Sequence, residues 1–482
     1  MRLLQLLAIA LMSLAPMAAS AQPRAGTAVV GVDVLPMTGT ARLKDQTVLI
    51  QGDRIVRVGP RRSVAPPAGY TVIQGRGLTL MPGLVDMHVH LAPAPAQAGD
   101  AAQRALAVML GHGVTTARTM AGAPPHLQVR QRIEAGEVAG PRLYTAAPGI
   151  HVGNTKTPEA ARAAVAAAKQ AGFDLIKSHH IEDLAVWQAV QDEAARQKIP
   201  TAGHVANSVG LERALAARQQ VEHLDGSLLA LLPANSPARA IPFGQIPPPP
   251  VLDALTGVDQ AGIAALAKTA AAGGPQVPTL SLFEVIADVQ TPTSVLAASP
   301  DMRFVPPPAL AQWAAQREGM MQSGFTPEMG KRFIDLRRRV VRAYHAAGVP
   351  LMAGSDTAQN FHVWGPGLLK EIEALAAAGL TPMDALRSAT VVPRDYLRAL
   401  PNGGSALGWK ADFGTVEPGA RADLILLAGD PSKDLQALRK LRSVIAGGRV
   451  YDRAALDALL ARAAADAKAV PPAPPAAPAA GG

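Results

Sequence analysis

The chain has 482 residues, 49% hydrophobic and 17% charged, and at roughly 100–200 residues per domain this excludes both a single small module and wholesale disorder. The net charge of +9 is scattered and aromatic residues make up only 4%, so nucleic acid is not predicted as a partner. The absence of cysteine excludes disulfides, iron–sulfur clusters and thiol nucleophiles, and leaves His, carboxylate or modified side chains to hold any catalytic metal.

Residues 1–21 read MRLLQLLAIALMSLAPMAASA. A basic residue, a short apolar stretch and small residues before Gln22 are typical of a secretory signal peptide. A retained membrane anchor is the alternative, but Pro16 and polar residues interrupt the apolar stretch, which falls short of the about 20 residues that a membrane span requires. We therefore expect a periplasmic or secreted protein with no stable membrane insertion after signal cleavage.

All-β sequence patterns occur near both ends of the chain. From about residue 28 to 80, β-branched runs alternate with turn signals such as Gly52-Asp53, as in antiparallel hairpins. The same pattern returns near the C-terminus, where Gly447-Gly448 is the predicted turn. We predict one small discontinuous β-sandwich domain, built from residues 22–80 and 406–462.

Between these segments, residues 81–405 alternate strand-like runs with Ala-rich helical segments. Eight such runs, each followed by a helix-length segment, predict an α/β fold of the (β/α)8 TIM barrel type. A doubly wound open sheet is the alternative architecture. The eight runs are LMPGLVDMHVH, GVTTAR, PRLYTAA, FDLIKSH, PTAGHVA, QVEHLDG, QVPTLSL and VPLMAGSD.

Three further segments stand outside this repeat. Two inserts, at roughly 227–252 and 287–325, are longer than ordinary barrel loops and could form either a lid or surface decoration. Residues 463–482 are rich in Ala, Pro and Gly, and we expect this tail to be disordered because it offers little with which to pack a core.

His88 and His90 occupy alternate positions of the first predicted barrel strand. Both side chains therefore emerge on one face, about 7 Å apart along the strand. A His-x-His pair is weak as a signal alone, but this one lies at the carboxyl end of a barrel strand, where barrel enzymes keep their active sites.

The ends of later predicted strands carry further candidate ligands. They are Lys177 on strand four, His204 on strand five, His223 on strand six and Asp356 on strand eight. Imidazoles and carboxylates without thiolates suit zinc, with manganese, cobalt or iron as substitutes.

These residues carry a resemblance to a known family. The run PGLVDMHVH, Lys177, Gly203-His204, Glu222-His223 and the run AGSD ending at Asp356 resemble the metal-binding motifs of the amidohydrolase superfamily. The run GTVEPGARADL resembles the strand that returns to the small β-sandwich of that superfamily. The match extends from about 28 to 455, and the chain is most similar to imidazolonepropionase-like and prolidase-like exported metal-dependent hydrolases.

The resemblance implies a binuclear centre of two divalent ions, most commonly Zn2+. His88, His90 and Asp356 would hold the more buried ion, and His204 and His223 the more exposed one. Lys177 would be N6-carboxylated and bridge the two, since a carbamate supplies two anionic oxygens to metals about 3.5–4 Å apart.

The resemblance also implies the chemistry. Water on the metals has its pKa lowered from about 15.7 toward 7, which provides hydroxide at neutral pH. Asp356 would act as general acid and base, taking the proton of this water and giving it to the leaving amine. The expected substrate is a small-molecule amide such as a dipeptide, an Xaa-Pro dipeptide or an N-acyl amino acid, and a homo-oligomer is possible.

Two other functions remain open. A mononuclear cyclic amidohydrolase or deaminase of the imidazolonepropionase type commonly has a Glu three residues after the strand-five His, where this chain has Asn207, and such relatives lack the bridging lysine. A non-catalytic exported binding protein is the second alternative, disfavoured because every ligand position is retained. The chain has no Gly-x-Ser-x-Gly or Walker-type loop.

The sequence also departs from the family pattern. Arg118 is followed by Thr119 rather than Asp, and Lys177 is followed by His179 and His180 within three residues. These imidazoles lie beside the predicted bridge, where one of them could alter the metal surroundings or bind a further ion. No role is assigned to either imidazole, or to Arg118, Tyr144 and His151.

Overall fold

The structure is a computed structural model, and it describes residues 26–91, 99–241 and 246–471. The predicted signal peptide, residues 1–21, lies outside the described residues, as does the end of the predicted tail. Among the described helices, none is both long enough and apolar enough to cross a membrane.

Strands predominate at the start of the described chain, strands and helices alternate through its middle, and three strands precede the last helix. The strands are β1 (Thr27–Val34), β2 (Leu43–Gln51), β3 (Arg54–Pro60), β4 (Thr71–Gln74), β5 (Thr79–Pro82), β6 (Leu84–Val89), β7 (Val114–Thr119), β8 (Arg142–Thr145), β9 (Ile176–Ser178), β10 (Thr201–Gly203), β11 (Gln220–Glu222), β12 (Gln276–Val277), β13 (Leu424–Leu427), β14 (Leu441–Ala446) and β15 (Arg449–Tyr451). The α-helices are α1 (Gly99–Gly111), α2 (Pro124–Ala135), α3 (Pro158–Ala171), α4 (Leu184–Gln197), α5 (Leu211–Ala216), α6 (Ser227–Leu231), α7 (Pro249–Thr256), α8 (Gln260–Ala271), α9 (Leu280–Ala287), α10 (Thr293–Ala297), α11 (Pro307–Gln322), α12 (Pro327–Ala346), α13 (Pro366–Ala377), α14 (Pro382–Ser388), α15 (Val391–Ala399) and α16 (Arg453–Lys468). Short 3-10 helices lie at Pro237–Ala240, Pro300–Phe304, Pro401–Gly404 and Leu435–Arg439.

Local sequence explains where many of these helices begin and end. In α3, the Thr157 side chain accepts a hydrogen bond from the Ala160 amide, Pro158 is the first helical residue, and Gly172 ends the helix in the left-handed conformation. A hydroxyl cap, an N-terminal proline and a C-terminal glycine are the residues that helix ends favour.

A mixed sheet joins the two ends of the chain. Its strand order is β15-β14-β13-β5-β1-β2-β3, with β4 also paired to β1. The two predicted hairpin turns are confirmed, since Gln51 pairs with Arg54 and Ala446 with Arg449 across the glycine-containing turns. Both glycines of the second turn have a positive φ, which residues with a Cβ adopt only with strain.

Two parallel sheets occupy the middle of the chain, one of order β6-β7-β8 and one of order β12-β11-β10-β9. Isolated bridges connect their outer strands into one circuit that also includes residues 351–357. These bridges are Ala146↔Leu175, Ile150↔Ser178, Gln276↔Leu351 and Val89↔Thr357. The eighth predicted strand-like run, VPLMAGSD, therefore contacts both of its neighbours, although it pairs through isolated bridges rather than as a continuous strand. Over the described residues, the chain is an α/β protein with one mixed and two parallel sheets.

The first predicted barrel strand is divided at Gly83. Residues before it form β5 in the mixed sheet, and residues after it form β6 in the parallel sheet. A Cβ at Gly83 would lie 2.2 Å from the Thr115 hydroxyl oxygen, so only glycine permits this close passage between the sheets.

The prediction of a disordered tail from residue 463 is wrong for its first residues. The last helix, α16, continues to Lys468 and packs against α1, and Ala463 and Ala467 are buried. The Asp452 carboxylate caps the helix by accepting a hydrogen bond from the Ala455 amide. Alanine favours helix intrinsically, and its small side chain lets two helices approach closely. Residues 472–482 lie outside the described residues.

The two long inserts are largely helical. The first contains α6 and the beginning of α7, and the second contains α10 and α11. Ile246, in the first insert, lines a cleft at the carboxyl ends of the parallel strands.

Candidate metal centre

The predicted ligands all lie at or just beyond the carboxyl ends of strands in the circuit. His88 is in β6 and Lys177 is in β9. The residue directly after β6 is His90, the one after β10 is His204 and the one after β11 is His223. Asp356 is in the 351–357 segment. All except His90 are buried. Parallel strands end on the same side of their sheet, which explains why residues far apart in sequence converge here.

Three of these residues form what we call the inner group, namely His88, His90 and Asp356. The His90 Nε2 and Asp356 Oδ1 atoms are 2.8 Å apart, and the His88 Nε2 atom is 3.3 Å from the same oxygen. The two Nε2 atoms are themselves 3.2 Å apart. Nitrogen and carboxylate donors that face one point suit a divalent metal. His223 adjoins this group, and one donor atom each from His88, His223 and Asp356 lie within 4.8 Å of one another.

A buried ion pair orients His88. The His88 Nδ1 atom lies 2.7 Å from Glu222 Oε2, and Arg118 donates a 2.6 Å hydrogen bond to Glu222 Oε1. Arg118 also donates to the Met87 carbonyl at 2.7 Å. With Nδ1 donating to the carboxylate, His88 keeps the Nε2 lone pair toward the inner group.

Burial sets the charge of this pair and of the imidazoles. It raises the pKa of Glu222 to about 7, while the adjacent Arg118 favours the ionised carboxylate. Burial also holds the pKa of His88, His204 and His223 well below the usual value. The three rings are therefore neutral at physiological pH, as metal ligation requires.

A second set of donors, which we call the outer group, consists of His180, His204 and Asp225. The His204 Nδ1 atom is 2.7 Å from Asp225 Oδ2, and one donor atom from each member lies within 4.8 Å of the others. The His180 ring stacks on the His204 ring at 4.1 Å between centroids, and the His223 ring lies on the other side at 4.7 Å. Burial raises the pKa of Asp225 to about 7.

Lys177 interacts electrostatically with a carboxylate of each group, Asp356 and Asp225, and its environment is unusual for an amine. Its side chain is buried, and its Nζ atom has no hydrogen-bond partner among the described residues. Burial lowers the pKa of Lys177, opposed by Glu222, Asp356 and Asp225. An unpartnered buried amine is costly, and the cost would be removed if the nitrogen were modified or contacted a ligand. The donor set and this orphaned amine together fit a metal centre.

Backbone geometry fixes two of these side chains. Asp356 and His223 both have positive φ values, 53° and 60°, which are uncommon for residues other than glycine and cluster at functional sites. Next to Lys177, a Cβ at Gly203 would lie 2.2 Å from the Ser178 carbonyl oxygen and 3.0 Å from Lys177 Cδ. A glycine there allows β9 and β10 to approach and leaves space for the lysine.

Several supporting residues were not singled out from the sequence. Ser355 donates two hydrogen bonds to Asp86, at 2.9 and 2.6 Å, and Gln359 donates to Asp356 Oδ1 at 2.8 Å. Glu222 and Asp225 lie within two residues of His223 in the sequence. This spacing was a signal that acids near the site could support its histidines. No sequence signal pointed to Gln359.

The site opens onto a cleft of about 650 Å3 lined by inner-group and outer-group residues together with Gln359 and Ile246. A second cleft of about 560 Å3 adjoins it on the β7 and β8 side. His179 and His180 line both clefts, and His151 lines the second. Tyr144 is buried and packs edge-on against Trp409 at 5.1 Å, so it supports the fold rather than facing either cleft.

Known proteins match this architecture. A bottromycin amidohydrolase has a TM-score of 0.67 and 24% identity, over 93% of this chain and 91% of its own. A candidate prolidase from Bifidobacterium longum has a TM-score of 0.64 and 25% identity, over 92% of this chain and 100% of its own. A 5-methylthioadenosine/S-adenosylhomocysteine deaminase from Symbiobacterium thermophilum is 43% identical over 63 residues, but this match spans only 13% of this chain and 14% of that enzyme.

The family itself is identified over most of the chain. The sequence profile described as "Amidohydrolase family" matches residues 79–451, a range that contains both the inner and the outer group. The chain therefore belongs to the amidohydrolase family and is a hydrolase acting on carbon–nitrogen bonds.

Proposed function

We propose that this protein is a metal-dependent hydrolase that cleaves an amide bond at the inner and outer groups. The observation that carries the proposal is the buried Lys177 amine, which has no hydrogen-bond partner among the described residues and interacts with acids of both sets of His and Asp donors. A structural lysine would be paired or would reach solvent. A lysine whose amine becomes a carbamate that bridges two metal ions needs neither an ion-pair partner nor contact with solvent.

The fold proposed for this function is a (β/α)8 barrel, residues 81–405, with a small β-sandwich built from residues 22–80 and 406–462. The closed circuit of parallel strands and bridges supports the barrel. The mixed sheet, which pairs strands from both chain ends, supports the second domain. An open doubly wound sheet would leave its outer strands unconnected.

His88, His90 and Asp356 would hold one divalent ion and His204 and His223 a second, with carboxylated Lys177 between them. Zinc is the ion that best suits neutral imidazoles with oxygen donors. When bound, such a metal supplies a Lewis acid and lowers the pKa of water from about 15.7 toward 7.

Asp356 is the residue that we assign to proton transfer. Its Oδ1 atom accepts a hydrogen bond from Gln359, which fixes the carboxylate toward the cleft. Its pKa is held below the usual value: burial alone would raise the pKa, but the neighbouring His223 and His90 outweigh it. Asp356 is therefore ionised and can accept a proton from water at Oδ1 or Oδ2, then return it to the leaving nitrogen.

The proposed substrates are dipeptides, including Xaa-Pro, and N-acyl amino acids. The resemblance of the whole fold to a candidate prolidase supports this class, and the clefts have room for a small molecule. We also propose that residues 1–21 direct export to the periplasm or cell exterior, as their signal-peptide pattern indicates.

A deaminase is the second candidate, favoured by the short match to a deaminase from Symbiobacterium thermophilum. Such a mononuclear enzyme has no use for a bridging lysine, and this chain has Asn207 where those relatives commonly place a catalytic Glu. Both residues favour amide hydrolysis over deamination.

Metal content and amide cleavage test the proposal together. Protein prepared without chelator should contain about two metal ions per chain, and it should hydrolyse members of a dipeptide and N-acyl amino acid panel. Lys177→Ala should lose both properties and regain part of its activity with short carboxylic acids, which replace the carbamate. Lys268→Ala, at an exposed position of α8, is the matched control and should behave as the wild type. One ion that is retained in Lys177→Ala would favour the mononuclear enzyme, and amide cleavage that is indifferent to chelation would refute both.

A further inference from the structure

The second cleft differs in character from the first. On the β7 and β8 side of Lys177, its wall contains the small and apolar residues Met120, Ala121, Pro148, Gly149 and Val152, together with the polar His151 and Asn154. Val152 is 64% exposed at its rim. An exposed apolar wall beside a polar centre is typical of a pocket that binds an apolar part of a ligand.

The position of Asp356 orients a substrate across the two clefts. Asp356 and Gln359 line the first cleft but not the second, whereas Lys177 lines the second. The leaving nitrogen must lie within reach of the carboxylate that protonates it, so the amine side of the amide belongs in the first cleft. The acyl side then extends past Lys177 into the second cleft.

We propose that the second cleft binds an apolar acyl group of the substrate and that Gly149 sets the size of this group. The inference rests on the amide hydrolysis proposed above and adds to it the chemical class of the acyl side: an aliphatic chain or apolar side chain several carbons long.

Gly149 is suited to set the size of the bound group because its backbone conformation does not require glycine, so a larger side chain can be introduced there. An added Cβ would meet only His179 Cβ at 3.5 Å and Lys177 Cγ at 3.8 Å, both ordinary contacts, and its φ is not positive. The next residue holds the loop to β9, since the Ile150 amide donates to the Lys177 carbonyl at 3.0 Å.

The other glycine of this cleft behaves differently. A Cβ at Gly122 would lie 1.6 Å from the Ala146 carbonyl oxygen, so backbone packing alone explains why this residue is glycine. The absence of a side chain at Gly149 instead leaves open space in the cleft, which a ligand can fill.

Binding of hydroxamic acids to the zinc-loaded protein tests the pocket independently of turnover. Hydroxamates chelate metal, and their chain can be varied from acetohydroxamic to hexanohydroxamic acid. Each buried methylene should strengthen binding about fourfold at most, so calorimetry should show at least about tenfold tighter binding of the hexanoyl compound. Gly149→Val should remove this preference with little effect on the acetyl compound, and Gly149→Ala should have an intermediate effect.

Gly274→Val is the matched control, because a side chain there meets nothing within 4 Å and the residue precedes β12 at the opposite end of the strands from the site. It should bind both probes as the wild type does. Equal binding of both compounds by the wild type, a uniform loss in Gly149→Val, or no binding of either compound would overturn the proposal.

Turnover of N-acetylglycine and N-hexanoylglycine separates this proposal from the proposed function. A hexanoyl preference in hydroxamate binding without cleavage of any amide would refute amide hydrolysis and leave the pocket. Cleavage of both compounds at similar kcat/KM, unchanged in Gly149→Val, would refute the pocket and leave amide hydrolysis.

Discussion

The inner and outer groups of the site are supported to different degrees. In the inner group, His88 rests on the buried Glu222–Arg118 pair, and Asp356 is held by the half-buried Gln359. In the outer group, His204 rests on Asp225 and on stacked rings nearer to the clefts. The comparison teaches that the inner side is held by a buried ion pair, whereas the outer side is held by a single carboxylate and by stacked imidazoles.

Replacement of Asp356 should have the largest effect, because this residue connects the inner group to His223. Its Oδ1 atom faces His88 and His90, and its Oδ2 atom lies 3.5 Å from His223 Nδ1. Asp356→Asn keeps the shape but removes the charge and the proton acceptor. We expect kcat to fall about 10^3-fold, together with part of the metal content, as measured by steady-state kinetics and elemental analysis.

Asp192→Asn, on the exposed side of α4, controls for the loss of a carboxylate elsewhere and should change neither quantity. An Asp356→Asn enzyme that retains more than a tenth of the wild-type kcat would remove Asp356 from proton transfer.

The unequal support of the inner and outer groups can be tested directly by replacing one supporting acid in each of them. Glu222→Gln removes the charge that orients His88, and a loss of this kind typically costs about 10–100-fold in metal affinity. Asp225→Asn should cost less, about tenfold or below, because ring stacking also positions His204. Competition with a chromophoric chelator measures both affinities, and an equal or larger loss in Asp225→Asn would contradict the unequal support that we describe.

Acidification should lower the free energy of unfolding through His362, which lies in the loop that also contains Gln359. Burial, with a smaller contribution from Lys370, lowers the pKa of His362 to about 3. In the unfolded chain His362 becomes protonated near pH 6.5, whereas in the folded protein it becomes protonated only near pH 3. Stability from this group is therefore complete above pH 6.5 and declines as the pH falls.

The His362 effect is one on folding stability rather than on metal binding or catalysis. Between pH 7.5 and 5, metal-free wild type should lose about 2 kcal/mol more unfolding free energy than His362→Gln, as measured by urea denaturation at both pH values. His345→Gln, at a partly exposed position near the end of α12, should lose as much as the wild type. Parallel losses in wild type and His362→Gln would show that His362 does not carry this pH dependence.

The sequence predicted local features better than it predicted their supports. Alternate positions for His88 and His90 were enough to expect both rings on one face, and Gly447-Gly448 was enough to expect a hairpin, because these depend only on strand period and turn conformation. The His88–Glu222 contact depends on how β6, in one parallel sheet, is placed relative to β11, in the other, which no short sequence pattern encodes. Whether the six candidate ligands bind metal stays a prediction.

Two other features show where composition misleads. The Ala-rich start of the tail suggested disorder, yet α16 buries Ala463 and Ala467, because small side chains can contribute to a helix interface when a partner such as α1 is present. The division of β5 from β6 at Gly83 was hidden in one continuous apolar run, since both strands are buried and neither alternates in polarity.

The passage through Gly83 links the reactive pocket to the last-synthesised part of the polypeptide. β6, which carries His88, continues directly from β5, and β5 is anchored by β13 near the other terminus. Before β13 is made, β5 can pair only with β1, so the strand that leads into the pocket lacks one of its two neighbours. We expect molecules clipped before β13 to lose activity even when every pocket residue is present.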